Sequence, residues 1–313
     1  MTLTVQTLYG PLGPVDFPEY GPDGALIGCV PAAPLALETP LGRLNAQHST
    51  DDARRPKVHP IEFHPDGSLK SMALEERTVL PTPLGPLPAE FVSFHPDGEL
   101  RRVFPVYGKL SGYWTEKEEA TLNDPLTLET PAGSITARIA GVQFFPGGAL
   151  KSVTLWPGES VEIETPLGRQ KARIGISFHE SGALRSFEPA ALTPVPTPIG
   201  ILEAFDPDAL GIHGDVCSLE FGPDGEPVAL STPMNTVEAA LPDGKPRRFA
   251  PTRVPNLCDE RVQDVKPLRV RFQGGAALLG EDPAPAFPLD TARFTVGRLL
   301  EGLFAPIRYD CGL

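Results

Sequence analysis

The chain has 313 residues, enough to bury a sizeable core or to extend as an array. Its 27 Lys and Arg stand against 40 Asp and Glu, a formal net charge of -13, and no basic run is long enough to track a phosphate backbone, which argues against nucleic acid and anionic membrane as partners. The 38 prolines and 31 glycines break up long helices, while Val, Ile, Leu and Phe recurring between them with period two point away from disorder and toward an all-β fold.

In chain order, residues 1–10 lack the basic and apolar regions of a signal peptide, and no segment is long and apolar enough to cross a bilayer, so a cytoplasmic location is expected. Tyr20-Gly-Pro-Asp-Gly24-Ala-Leu is the first of seven aromatic turns: an aromatic residue, turn-formers ending in Gly, then a small residue and usually Leu. The others start at Phe63, Phe94, Phe144, Phe178, Phe221 and Phe272, and their glycines lie 31 to 50 residues apart. A second signature, the threonine turn, alternates with it: Thr39 to Gly42 (Thr-Pro-Leu-Gly), Thr82 to Gly85, Thr130 to Gly133, Thr165 to Gly168 and Thr197 to Gly200. Pro pre-sets φ, Asp bonds its own backbone and Gly takes positive φ, so both signatures predict hairpin turns. Val161, Ile163 and Thr165 alternate before Gly168, and Ala172, Ile174, Ile176 and Phe178 alternate after it. Ile135, Ala137 and Ile139 fall out of phase with Val142 and Phe144, which predicts a β-bulge at Ala140-Gly141.

Three insertions lengthen this pattern. Residues 45–60, with His48, Asp51, Asp52 and His59, read as an exposed loop, and Arg54, Arg55 and Lys57 as locally balanced charges in water; so do Arg247 and Arg248 beside Asp243. Residues 107–124 carry Tyr107, Tyr113 and Trp114, either a cluster packing the insertion onto the sheet or a ligand platform. Residues 206–217 concentrate Asp206, Asp208, His213, Asp215 and Cys217, metal-compatible donors that match no established motif. His64, His95 and His179 recur in the aromatic turns and read as turn-flanking rings rather than ligands, since Phe145 and Gly222 replace them elsewhere. Cys29, Cys217, Cys258 and Cys311 include no CxxC pair and are expected as reduced, isolated thiols. Asp290 is placed to cap a helix over 291–304, although Ala292 to Arg298 also reads as a strand.

The segments Thr165-Pro-Leu-Gly-Arg and Ile176-Ser-Phe-His-Glu-Ser-Gly-Ala-Leu-Arg-Ser resemble the punctuation of YD-type (RHS) repeats, and Phe63-His-Pro-Asp-Gly-Ser-Leu-Lys-Ser is similar to variant MORN repeats. The resemblance covers short turn segments across about 20–280; it implies a string of β-hairpins and brings no catalytic motif.

The expected architecture is consecutive β-hairpin repeats in a twisted or superhelical sheet, with a seven-bladed propeller-like ring as the alternative and at most a short C-terminal helix. One body over 1–313 is expected, regular over about 10–245 and irregular over 246–313. No phosphate-binding loop, GxSxG, HExxH or paired CxxC occurs. The sequence therefore points to a non-enzymatic scaffold without a cofactor, binding a protein or small polar ligand. Tyr107, Tyr113, Trp114, Asp208, His213 and Asp215 are the candidate contacts; a metal site or enzyme built on 206–217 is the alternative.

Overall fold

In the computed structural model the described residues are 3–48, 54–55, 60–110, 114–209, 217–242, 244–256, 261 and 263–299. They are nearly all antiparallel β-structure in two compact units, 1–130 with 136–156 and 131–135 with 157 onward. No helix among them is long and apolar enough to cross a membrane.

The strands of the first unit are β1 (Leu3–Thr7), β2 (Gly10–Tyr20), β3 (Leu26–Pro31), β4 (Leu35–Thr39), β5 (Gly42–Ala46), β6 (Ile61–Phe63), β7 (Leu69–Thr82), β8 (Gly85–Phe94) and β9 (Leu100–Phe104). After the helix α1 (Glu116–Ala120) come β10 (Leu126–Thr130) and β11 (Gly133–Ala137), the latter divided between the units, and then β12 (Ile139–Phe144) and β13 (Leu150–Leu155) of the first unit's sheet. Antiparallel pairing runs β1-β2-β3-β6-β7-β8-β9-β12-β13, with β4-β5 as a side hairpin touching β7. One cross-strand rank, Cys29, Ile61, Met72, Val92, Val103, Val142 and Val153, is fully buried. Because side chains alternate, the next rank faces the other side, and it is polar: Glu62, Ser71, Ser93, Arg102, Gln143 and Ser152.

The second unit contains β14 (Ser160–Thr165), β15 (Gly168–Phe178), β16 (Leu184–Pro189), β17 (Thr193–Thr197), β18 (Gly200–Ala204), β19 (Leu219–Phe221) and β20 (Pro227–Thr232). It continues with β21 (Asn235–Ala240), β22 (Arg247–Phe249), β23 (Thr252–Pro255), β24 (Gln263–Lys266), β25 (Leu268–Gln273), β26 (Ala276–Leu279), β27 (Ala286–Pro288) and β28 (Arg293–Arg298). Its main run is β14-β15-β16-β19-β20-β25-β26-β27. The pairs β17-β18 and β23-β24 and the triplet β22-β21-β28 stand beside it. The apolar rank here is Ile176, Phe187, Leu219, Leu230, Val270 and Leu279, all fully buried, and again a polar rank lies one residue away. Among the described residues neither run returns to its first strand and no four-stranded blade recurs, so the pairings do not form the seven-bladed ring.

Local chemistry explains where the chain reverses. Six aromatic-turn glycines, Gly24 to Gly225, hold φ between 80° and 88°, where a Cβ is strained. In the threonine turns the Thr Oγ1 accepts the N–H two residues on and donates to the Gly carbonyl three residues on, at Thr39, Thr82, Thr165 and Thr197. The structure adds two members that lack part of the signature. Thr7-Leu-Tyr-Gly10 makes the same bonds without Pro, and Thr232-Pro-Met-Asn235 accepts two N–H groups with Asn in place of Gly.

These turns also touch one another at a constant offset. A Cβ built on Gly67, Gly98 or Gly148 would stand 3.2 to 3.5 Å from Leu8, Pro40 or Pro83 respectively, and in the second unit Gly182 faces Pro131 and Gly225 faces Pro166 at 3.8 and 3.4 Å. Five threonine turns, those starting at Thr7, Thr39, Thr82, Thr130 and Thr165, thus lean on the second aromatic turn to follow them, whereas Gly275, the second after the Thr197 turn, has no such neighbour among the described residues. His64, His95 and His179 place Nε2 2.9 to 3.1 Å from the carbonyls of Phe94, Phe144 and Phe221, the Phe that opens the next aromatic turn of the fold. The turn-flanking histidines therefore also tie turn to turn.

The expected bulge at Ala140-Gly141 is present, and other expectations change. The β12 bulge falls at Ala140, where pairing jumps from Ile139↔Leu155 to Gly141↔Thr154. But β15 is bulged too: pairing skips from Arg173 to Ile176, and the skipped Ile174 sits at φ 64°, so Ala172 to Phe178 is not one uninterrupted face. The C-terminal helix is replaced by β28, held by six pairings to β21; residues 300–304 lie outside the described residues. The helix is instead α1, whose Thr115 and Glu118 form a capping box.

Candidate ligand cleft

The polar face of the second unit carries a cleft. Ser186, Glu220, Ala229 and Arg271 align across β16, β19, β20 and β25, and the residues two positions away on the same face are Glu188, Ser218, Ser231 and Arg269. Over this floor stand the segment Asp206–Ala209 and Cys217, with the bulged Ile174 on one side, and they enclose an inner cavity of about 300 Å³. Through shared Asp206, Ser231 and Arg269 it opens into an outer basin of about 810 Å³ bordered by Asp208, Lys266 and Arg271. Ile174 is a β-branched residue in left-handed backbone, a conformation that costs about 1–3 kcal/mol and collects at functional sites.

Glu188 is the innermost charge and is fully buried. Burial pushes its carboxyl up, while the N–H groups of Asp206 and Ser218, at 3.0 and 2.9 Å, and Arg173, at 3.5 Å, hold it down. Arg173 also donates to the carbonyls of Pro189 and Asp206 and lies 4.6 Å over the Phe205 ring. On the opposite wall Arg269 pairs with Glu220 and donates to Ser231 Oγ at 3.3 Å. Asp206 differs from both acids. Its carboxylate accepts the Asp208 N–H at 3.0 Å and, among the described residues, makes no ion pair; burial pushes its pKa up, with Arg173 and Arg269 opposing from a distance. At the rim Lys266 pairs with Glu281 and Arg271 with Asp282.

Of the residues singled out from sequence, Asp208 borders this cleft, and His213 and Asp215 lie outside the described residues. Tyr113 lies outside them too. Tyr107 stacks on Phe91 at 4.4 Å in the first unit, and Trp114 Nε1 donates to Glu119 at 2.6 Å, so these aromatics pack the insertion onto its own sheet. Cys29 and Cys217 are buried thiols that form no disulfide; burial pushes Cys29 up to about 11, and Cys217 Sγ donates to the Gly175 carbonyl. Cys258 and Cys311 lie outside the described residues.

One expectation is overturned outright. Arg54 and Arg55 are buried, not solvated: Arg54 bonds Glu119 twice, at 2.6 and 2.7 Å, and Glu90 at 2.6 Å, and Arg55 reaches Glu90 at 2.9 Å and the Leu74 carbonyl. Burial alone would pull Arg54 down, but Glu119 and Glu90 override it and raise its pKa. Among the described residues, the acids that bond the pair come from β8 and α1, distant in sequence; Asp51 and Asp52 lie outside the described residues.

Glu188, Ser231 and Arg269 escaped the sequence reading because they sit inside strands. A signal existed. Leu69-Lys-Ser71, Leu150-Lys-Ser152 and Leu184-Arg-Ser186 mark the polar rank, and two residues beyond each Ser stand Ala73, Thr154 and, out of character, Glu188.

Comparison with known proteins finds no matching family model, curated protein or solved structure.

Proposed function

We propose that this chain is a non-enzymatic β-hairpin-repeat binding protein that takes a small polar ligand in the cleft of its second unit. The repeat reading draws on the constant offset between threonine and aromatic turns and on the three His-to-carbonyl ties, since a fixed step between like elements is what a one-dimensional array requires. The binding reading is carried by one observation: a recessed cavity whose wall combines a strained Ile174 with the buried carboxylate of Glu188 and the half-buried one of Asp206. A carboxylate fully bonded to backbone N–H and Arg, as Glu188 is, suits positioning better than proton transfer, and the Cys217 thiol is engaged by a carbonyl.

Ligand-observed NMR with a panel of small polar compounds tests this on wild type and Ala209→Trp. Ala209 lines the inner cavity from the loop, so the indole fills it while every strand residue of the floor is kept. Binding lost in the variant at an unchanged thermal midpoint is expected; equal binding to both, or none to wild type, would overturn the reading.

A further inference from the structure

We infer that the ligand group seated in this cleft is an organic cation, an ammonium or guanidinium, anchored by Asp206; the inference rests on the binding reading above. The charge count of the cleft leads there. Among the described residues, three carboxylates, Glu188, Asp206 and Glu220, and two guanidinium groups, Arg173 and Arg269, stand around the inner cavity. Both guanidinium groups are committed. Arg173 is spread over Glu188, two carbonyls and the Phe205 face, and Arg269 over Glu220 and Ser231. The carboxylate in excess is Asp206, which faces both cavities and receives one N–H. A partly buried carboxylate with cations only at a distance is costly, and a ligand cation supplies a direct partner. In the outer basin Glu220, Glu281 and Asp282 pair with Arg269, Lys266 and Arg271, which again leaves Asp206 without an ion pair among the described residues. No group of three or more His, Cys, Asp or Glu among the described residues is arranged to hold a metal ion, whereas a single carboxylate beside hydroxyl and carbonyl acceptors suits an ammonium, which offers donors and needs no fixed coordination number.

The burial that raises Asp206 supports the choice, because a cation that restores its ionised form also makes binding strengthen as pH rises. The charged groups facing it are Glu188 from β16, Arg173 from β15, Glu220 from β19, Arg269 from β25 and Asp208 in its own loop.

The test is an amide-detected NMR titration at constant ionic strength with 1,4-diaminobutane, arginine and, as an anionic counterpart of similar size, succinate. The diamine or arginine is expected to shift the amides of Asp206, Asp208, Ser218 and Ser231, and succinate to leave them in place. Asp206→Asn should weaken the cation at least tenfold, while Glu38→Gln, an exposed carboxylate of the first unit, should change nothing. Equal weakening in both variants would reduce the effect to attraction by the net charge and overturn the inference. So would succinate binding in the cleft, or undiminished cation binding by Asp206→Asn; either leaves the cleft standing as a binding site. If no compound of the panel or of this series reaches the cleft, the binding reading falls as well. A pentapeptide with a central lysine separates the two sources of such a group: tighter hold on the peptide assigns the pocket to a side chain delivered by a protein, tighter hold on the diamine to a free amine.

Discussion

Glu119→Ala probes the buried ion network of the first unit. Glu119 is 1% exposed and accepts two bonds from Arg54 and one from Trp114 Nε1. Removing it takes two bonds from Arg54, which keeps its bond to Glu90, and one from the indole N–H of Trp114. Breaking a buried pair from one side costs about 3–5 kcal/mol. At an m-value of about 2 kcal/mol/M, this lowers the urea midpoint by about 2 M. The chain has two tryptophans, and both lie in the first unit, so Trp114 fluorescence in a Trp156→Phe background reports this unit alone. Adding Arg54→Met to Glu119→Leu should recover at least half the loss, because no charge is then stranded and Glu90 keeps Arg55. Gly108→Ala gives an independent check, since a Cβ there falls inside van der Waals contact with the Glu119 carboxylate. A loss under about 1 kcal/mol for Glu119→Ala, the figure for an exposed pair, would refute the buried-network account.

Gly182→Val forces a β-branched residue to φ 88° and should cost about 1–3 kcal/mol, read as a lower denaturation midpoint; no change would remove the hairpin assignment there. His95→Ala removes the tie to the Phe144 carbonyl and should cost about 1 kcal/mol; a neutral outcome would reduce the ties to incidental contacts. Asp206 and Glu188 have carboxyl groups raised by burial, so the folded state holds protons over a window that begins near the unfolded value of about 4 and extends upward, and stability falls as pH climbs through it. Asp206→Asn should flatten that slope and raise the thermal midpoint at pH 7, as measured by melting across pH 4 to 8; an unchanged slope would show that Asp206 does not contribute to it.

The sequence by itself determined the turns and the strand character between them. Gly at positive φ, Pro at fixed φ and a Thr hydroxyl bonding its own turn act within four residues, so a short window contains the whole cause, as at Thr165 to Gly168 and Phe178 to Gly182. The bulge at Ala140 was legible for the same reason, because a broken alternation is local. Thr7-Leu-Tyr-Gly10 was not, since its hydroxyl bonds need no Pro. The bulge at Ile174 was hidden because it adds two residues and leaves the parity of Ala172 and Ile176 intact. What the tertiary structure decided is which strands lie side by side and hence which polar side chains share a face. Asp206 and Asp208 stood out in a loop, but Glu188, Ser231 and Arg269 each look like ordinary strand residues until β16, β19, β20 and β25 align them. Arg54 and Arg55 looked solvated because their neighbours in sequence were acidic. Their true counter-charges, Glu90 and Glu119, are brought up by β8 and α1 from 35 to 65 residues away, and pairing over that separation depends on the packing of whole elements, which no local pattern encodes.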